Sequence, residues 1–498
     1  MAPDEAADPL ILAIDVGTSS ARALVYDGEG RQVRGWENHR PYAVRTSPDG
    51  GVTIDPDGLV ELVAGCLDAV LHVMSRPPAA VACDTFWHSL LVADGSGTPL
   101  TPVLTWADTR SGPAAAKLRS HLDGRAVHAR TGCVLHSSYW PAKLAWLRTK
   151  EPEVMDRAGM LMGFGEYLYL HLFGDRRVSI SMASGTGLLD QNACAWDPKL
   201  CEVLQISEAQ LSPVVDYTDS AGGLRSPFRS RWPQLDGIPW FLPLGDGACN
   251  NIGSGGTTPE WLVAMIGTSG ALRVVRTAER VDIPWGVWTY HVDRRRFIQG
   301  GALSDGGNVF AWLMQTVQHA PVTDVERQLA AMQPDAHGLT VLPFLAGERS
   351  PDWNVNARAA LVGMTLATTP IDVIRASLEA VAYRFGVVYD VLRAVLPPTR
   401  GIIGSGAGLI HSPAWLQIMT DVLGEPVVVS AVPEASGRGA ALLALEALGH
   451  LPDVTAAPVP LADTYRPHPD HTRAYRAAAQ RQQRLYDLLI GDSSRGDV

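Results

Sequence analysis

Cysteine is scarce in this 498-residue chain. The six present (Cys66, Cys83, Cys133, Cys194, Cys201 and Cys249) are scattered, with no Cys-x-x-Cys pair and no paired His/Cys spacing. That argues against a disulfide frame or a zinc site and for buried thiols. Long apolar runs are also missing: none approaches the roughly 18 residues of a membrane span. The N-terminal MAPDEAADP is acidic and lacks the charged-then-apolar layout of an export signal, so a cytoplasmic location is expected. Basic charge is short as well. Lys+Arg 41 against Asp+Glu 52 leaves −11 and no basic surface for nucleic acid. The expected partner is a small molecule, with no nucleic acid and no membrane; a homodimer stays open. Low-complexity segments are absent, and 46% apolar with 19% charged residues is ordinary for a globular enzyme. The length exceeds what one core serves and suggests two large domains.

What is present centres on LAIDVGTSSARALVYD, Leu12 to Asp27. An apolar run ends on Asp15, a Gly17-Thr18-Ser19-Ser20 turn follows, and a second β-type run completes a strand–turn–strand unit. Backbone N–H groups and hydroxyls of such a turn can face phosphate oxygens, with Asp15 holding a magnesium ion directly or through water. An ordinary hairpin with a polar turn is the alternative. VAMIGTSGALRVV, Val263 to Val275, repeats the unit with Gly267-Thr268-Ser269 in the turn and Met265 in the place of Asp15. Internal repetition fixes architecture. It implies two related halves facing a shared cleft, with one nucleotide and one metal between them.

Elsewhere, Asp55 to Met74 follows a helical period, and Ser111 to Leu122, Trp140 to Thr149 and Pro152 to Phe173 read as helices. Ser179 to Leu189 reads as a strand and turn, and Ser212 to Trp240 as strand fragments between prolines. Phe86-Trp87-His88-Ser89 and Trp106-Ala107-Asp108-Thr109-Arg110 stand at strand ends. Flat apolar rings beside His, Asp and Arg suit a sugar, the rings covering C–H faces and the polar tips bonding hydroxyls; a buried Trp with one satisfied His is the alternative. Leu242 to Asn251 reads as strand, Gly-Asp-Gly, helix, with Asp246 either a helix cap or, bared by its glycines, a base for an attacking hydroxyl. Glycines ahead of the helix from Val309 let a nucleotide approach closely. Small residues from Gly404 to Ala407 leave room for an adenine. The tail from Pro452 reads as a linker and then a polar helix, His471 to Leu489, packed outside.

Together these motifs resemble the FGGY family of carbohydrate kinases, from about Leu10 to Gly449. The most specific run is Ala359 to Met364 followed, seven residues on, by Asp372 to Glu379; Lys143 to Leu147 matches a second signature in which Trp140 replaces a small residue. The resemblance implies an α/β fold of two ribonuclease-H/actin-like (ASKHA) domains with an ATP cleft between them. Residues 1–252 would form the sugar-side domain, 253–450 the nucleotide-side domain and 451–498 a linker and helix. It implies ATP and Mg2+ as cofactors, Asp246 as catalytic base, and Asp15 and Asp246 at the metal. Thr18, Ser19, Arg22, Gly267, Thr268 and Gly307 would lie around the phosphates, and Gly406 and Ala407 beside adenine. Trp87, His88, Trp106, Asp108, Arg110 and Asp246 would line the sugar site, Trp87 replacing a usual Met.

Several segments resemble the family's gluconate kinases in wording, among them Gly245 to Ala248, Gly300 to Leu303 and Leu345 to Pro351. The expected activity is transfer of the γ-phosphoryl group of ATP to a hydroxyl of an open-chain sugar, sugar acid or polyol, gluconate first. Xylulose, ribulose or polyol kinases are the alternatives within the family. An actin- or chaperone-like nucleotide switch and a non-catalytic sugar sensor are those outside it.

Overall fold

In a computed structural model of the chain, which describes residues 1–491, the repeated unit becomes two sheets built on one plan. The first contains β1 (Ile11–Val16), β2 (Ser20–Tyr26), β3 (Gln32–Pro41), β4 (Ala80–Thr85) and β5 (Leu244–Gly245), in the order β5-β4-β1-β2-β3. The second contains β6 (Trp261–Ile266), β7 (Gly270–Thr277), β8 (Trp288–His291), β9 (Arg296–Leu303), β10 (Gly401–Ser405), β11 (Val427–Ser430) and β12 (Leu461–Tyr465), in the order β8-β9-β7-β6-β10-β11-β12. Without the edge strands β8 and β12, the two orders superpose. β1 and β6 each pair antiparallel with the next strand and parallel with β4 or β10. Both are central strands covered on both faces, which is why they read as continuous apolar runs. This duplicated α/β topology is the actin-like one.

The halves are interlocked. The helix Ala435–Ala447, from the second half of the chain, packs on β1 and β4 and crosses the helix Asp246–Gly253. Two glycines make the crossing: a Cβ on Gly253 would fall 1.8 Å from the Ala435 carbonyl oxygen, and one on Gly439 1.9 Å from that of Cys249. Ile11, Ala13, Ala80 and Ala82 form one apolar cluster with Ala440 to Leu445 and with Tyr290 and Ile298 of β8 and β9.

Four expectations change. The tail is no linker: β12 closes the edge of the second sheet, antiparallel to β11. The helix Pro469–Tyr486 buries Tyr475, whose hydroxyl donates to Glu379 at 3.0 Å and accepts from Arg375. The stretch 152–173 is two helices, Pro152–Arg157 and Phe164–Phe173, with a strand, Met160–Met162, paired to Leu91–Ala93 between them. Gly159 permits the break, because a Cβ there would lie 2.4 Å from the Gly95 nitrogen. Residues 179–189 hold a short helix, Ile180–Ser184, capped by the Ser179 hydroxyl. Residues 212–240 hold the helix Ser226–Arg231 and a 3-10 turn, Pro233–Leu235, after the short strand Val214–Val215. Among the described residues no helix is long and apolar enough to cross a membrane.

Candidate active site

Each of the two repeated turns is closed by the N–H of its first glycine, the second turn being one residue shorter than the first. In the first, Gly17 N–H donates to the Ser20 carbonyl at 3.0 Å; in the second, Gly267 N–H donates to the Ser269 carbonyl at 3.0 Å. Thr18, Ser19 and Thr268 make no side-chain hydrogen bond among the described residues, so their hydroxyls are available. The second turn carries the rest of the expected nucleotide side. Gly307 N–H donates to the Gly267 carbonyl at 3.0 Å, and Asn308 N–H to that of Thr268 at 2.9 Å. Gly406 has φ +84, and a Cβ on it would lie 2.5 Å from the Ile266 oxygen. Only glycine fits there, which brings Gly406 and Ala407 against the same turn. Gly267, Thr268, Gly307, Gly406 and Ala407 therefore share one site.

Three carboxylates stand near one another at the ends of β1, β4 and β5. Asp15 and Asp84 are register partners on parallel strands, and Asp246 begins its helix immediately after β5. Asp246 is thus the first helical residue, with Gly245 at the cap position. Its Oδ1 accepts from Gly247 N–H at 2.8 Å. Burial pushes its carboxyl up to about 6, opposed by the Arg273 guanidinium, so a proton acceptor here works near neutral pH. Arg22, expected around the phosphates, pairs with Asp15 at 2.8 Å and lies 3.5 Å from Glu434. Asp15, Asp84 and Asp246 offer carboxylate oxygens, the donors a hard divalent cation such as magnesium takes, without closing into a three-ligand cluster.

The two glycines flanking Asp246 serve Trp87. A Cβ on Gly245 would stand 1.9 Å from the indole, and one on Gly247 2.7 Å from it. The ring therefore lies against the backbone that carries Asp246, is 5% exposed, and donates its N–H to the Ser181 carbonyl at 2.9 Å. Trp87, expected to offer its face to a sugar, packs on the turn that carries Asp246. His88 stands at φ +68, and its Nδ1 meets the Gly185 carbonyl. A carbonyl only accepts, so Nδ1 carries the proton; burial lowers the ring's pKa to about 3, leaving Nε2 as a neutral acceptor.

Asp108 and Arg110, also expected at the sugar, satisfy each other. Arg110 donates to both carboxylate oxygens, 2.6 Å to Oδ2 at the shortest, and stacks on Trp146, while Val52 N–H donates to Asp108 at 3.2 Å. They fix the loop that carries Trp106. The ring of Trp106 takes the Arg349 guanidinium at 5.1 Å.

Sequence reasoning missed Asp84, Tyr139, Tyr290, Arg273 and Arg349. Tyr139 and Tyr290, from opposite halves, share a hydroxyl hydrogen bond of 2.6 Å, and both rings pack on His88. The Nε atoms of Arg273 and Arg349 are buried without a partner, and neither guanidinium has a carboxylate in ion-pair range among the described residues. Arg273 makes one long contact, 3.4 Å to Asn250 Oδ1. One signal existed for Asp84: it ends the apolar run AAVAC as Asp15 ends LAI.

The FGGY family of carbohydrate kinases matches over both halves, its N-terminal domain at residues 10–253 and its C-terminal domain at 262–448. The chain belongs to this family. It is similar to the gluconokinase of Bacillus subtilis, 28% identical over 94% of this chain and 93% of that one. It is similar also to a xylulose kinase of Staphylococcus xylosus, 24% identical over 87% of this chain and 90% of that one. Among solved structures it resembles gluconate kinase from Lactobacillus acidophilus, with TM-score 0.90 and 25% identity over 96% of this chain and 98% of that one. This FGGY chain is therefore a phosphotransferase with an alcohol group as acceptor, which removes the switch and the silent sensor as readings.

Proposed function

We propose that this kinase transfers the γ-phosphoryl group of ATP to a hydroxyl of an open-chain sugar acid of the gluconate type, in the cytoplasm. The observation that carries the acid is Arg349: a guanidinium recessed beside His88, His136, Tyr139 and Tyr290, with no carboxylate partner and with burial lowering its pKa. An unpaired buried cation is costly, and a substrate carboxylate relieves that cost. The relatives named gluconokinase support the same reading.

Arg349 takes the acid group, and the neutral imidazole of His88 with the Tyr139 and Tyr290 hydroxyls bonds the chain of alcohols. Asp246 orients the reacting hydroxyl and accepts its proton as that oxygen attacks the γ-phosphorus and the bond to the β-phosphate oxygen breaks. N–H groups and hydroxyls of the turns at Thr18 and Thr268 bind phosphate oxygens. Asp15 and Asp246 would hold a magnesium ion, which would supply neutralisation of phosphate charge. Arg273, close to Asp246, keeps that carboxyl ionisable.

An ATP-consumption assay across gluconate, xylulose, ribulose, glycerol and erythritol tests the substrate. Gluconate or another sugar acid is expected to lead, and Arg349→Ala to raise its KM about a hundredfold, as for loss of one partner of a buried charge pair. Faster turnover of a neutral ketose or polyol ends the acid reading and leaves the kinase. Asp246→Asn is expected to keep ATP binding and to lower kcat on the order of a hundredfold or more; near-normal turnover removes Asp246 from its role.

A further inference from the structure

Side chains alternate along a strand, and parallel register partners share a face. Asp15 follows Ile11 and Ala13 on one face of β1, and Asp84 follows Ala80 and Ala82 on the same face of β4. That face is covered by the apolar helix Ala435–Ala447 and by Ala248, Cys249 and Ile252 of the helix that Asp246 begins. Asp84 is 0% exposed, and neither of its carboxylate oxygens has a hydrogen-bond partner. The nearby guanidinium of Arg22 is bonded to Asp15, so Asp84 ends up wholly buried and facing two other carboxylates with no donor of its own. Such a carboxyl is either protonated or paired with a cation, because an unpaired buried charge is among the most expensive features in a protein.

We infer that Asp84 is a direct ligand of the divalent cation and that, with Asp15, it forms a seat that holds the cation before nucleotide arrives. The use of that cation rests on the phosphoryl-transfer reading above; its binding does not. Magnesium and manganese take oxygen ligands and are commonly held by one or two carboxylates, the remaining positions going to water and phosphate. Asp15 and Asp84 supply the two carboxylates from rigid neighbouring strands. Asp84 thus takes over the metal-holding part given to Asp246 above, and Asp246, on the next element over, is left to meet the sugar hydroxyl. The cation would then be part of the resting enzyme rather than a passenger on the nucleotide.

Mn2+ binding to the full-length chain, without nucleotide or sugar, tests this by electron paramagnetic resonance. Two other clusters of possible ligands stand among the described residues, Asp421 with His468 and His471 and Asp335 with His337 and Glu379, so the double variant His337→Ala, His471→Ala serves as the background for every measurement. One bound Mn2+ is expected in that background, weakened at least tenfold by Asp84→Asn, with partial recovery in Asp84→Glu. Without metal, Asp84→Asn should melt at or above the parent, since it separates Asp15 from a second carboxyl buried beside it. Mg2+ should raise the melting temperature of the parent and leave that of Asp84→Asn unmoved. Asp84→Ser repeats the comparison should the amide disturb the fold. Absence of Mn2+ binding in the nucleotide-free parent, or equal binding by parent and Asp84→Asn, overturns the inference; the latter would mean that Asp15 and Asp84 merely share a proton. A chain that binds Mn2+ through Asp84 yet phosphorylates no sugar upholds the inference and ends the reading of function.

Discussion

At the scale of single residues, the sugar side rests on a buried lysine. Lys143 is 1% exposed, and its ammonium donates to the carbonyls of His88 at 2.7 Å and Leu104 at 3.5 Å. It thereby ties the strained turn of His88 to the strand that leads to Trp106. Burial lowers its pKa to about 7, opposed by Asp108. Unfolded, the same lysine titrates near 10.4. Between those values the unfolded chain binds the extra proton, so stability rises with pH as the penalty of burying the charge fades. Lys143→Met is expected to flatten that rise. Urea unfolding of both proteins at pH 7.5, 8.5 and 9.5 should show the parent gaining on the variant by about 1 kcal/mol per unit. A constant difference would show that Lys143 keeps an ordinary pKa. The residue types at Trp106, Asp108 and Arg110 were legible in the sequence, but their partners were not: a spacing of two lets Asp108 and Arg110 close on each other, which composition cannot distinguish from a pair aimed at a ligand.

At the scale of elements, Asp246 is held from two sides by contacts that admit only glycine. Trp87 lies on Gly245 and Gly247 at one end of its helix, and the helix Ala435–Ala447 crosses the other end through Gly253 and Gly439. Gly439→Ala would put a Cβ 1.9 Å from the backbone oxygen of Cys249, where no side chain can swing aside. The helices must part, at a cost of about 1–3 kcal/mol typical of overpacking. A lower melting temperature is expected, with a fall in kcat larger than any change in KM for ATP, because the displaced helix carries Asp246, the proposed base, while the Gly267–Ser269 turn with Gly307 and Gly406 against it stands on the other sheet. Loss of ATP affinity with kcat intact would contradict this coupling.

The hairpins around Gly17–Ser20 and Gly267–Ser269 could be read from the sequence because strand, turn and strand are adjacent in the chain. The glycine crossing could not, since Gly253 and Gly439 meet only after the chain has built the second sheet. β12 was misread for a different reason: its residues are mostly exposed and give little of the alternation that marks a half-buried strand.

At the scale of the whole molecule, the repeat divides the chain into two halves with a boundary near residue 252, and the packing joins them. One face of the first sheet, carrying Ile11, Ala13, Ala80 and Ala82, finds its apolar cover in Ala440 to Leu445 from the far end of the chain. Arg438 fastens that helix by donating to the carbonyls of Gly30 at 3.0 Å and Gly253 at 2.7 Å, and the Tyr217 hydroxyl donates to Leu443 at 3.2 Å. At the sugar end the halves are joined again, by Thr289 N–H to the Gly132 carbonyl at 3.1 Å and by His291 N–H to the Ser184 hydroxyl at 2.9 Å. A fragment of residues 1–252 would leave an apolar sheet face in water, together with Asp15 and Asp84 uncovered. It is therefore expected to show no cooperative melting transition, and the full chain to melt in one calorimetric step whose enthalpy matches its van't Hoff value. Adding residues 253–498 as a separate chain during refolding should restore both the transition and the phosphotransfer. Two separated transitions in the intact protein, or a sharply melting 1–252 fragment, would show that the halves are independent and that the helix Ala435–Ala447 is a removable brace rather than part of the first half's core.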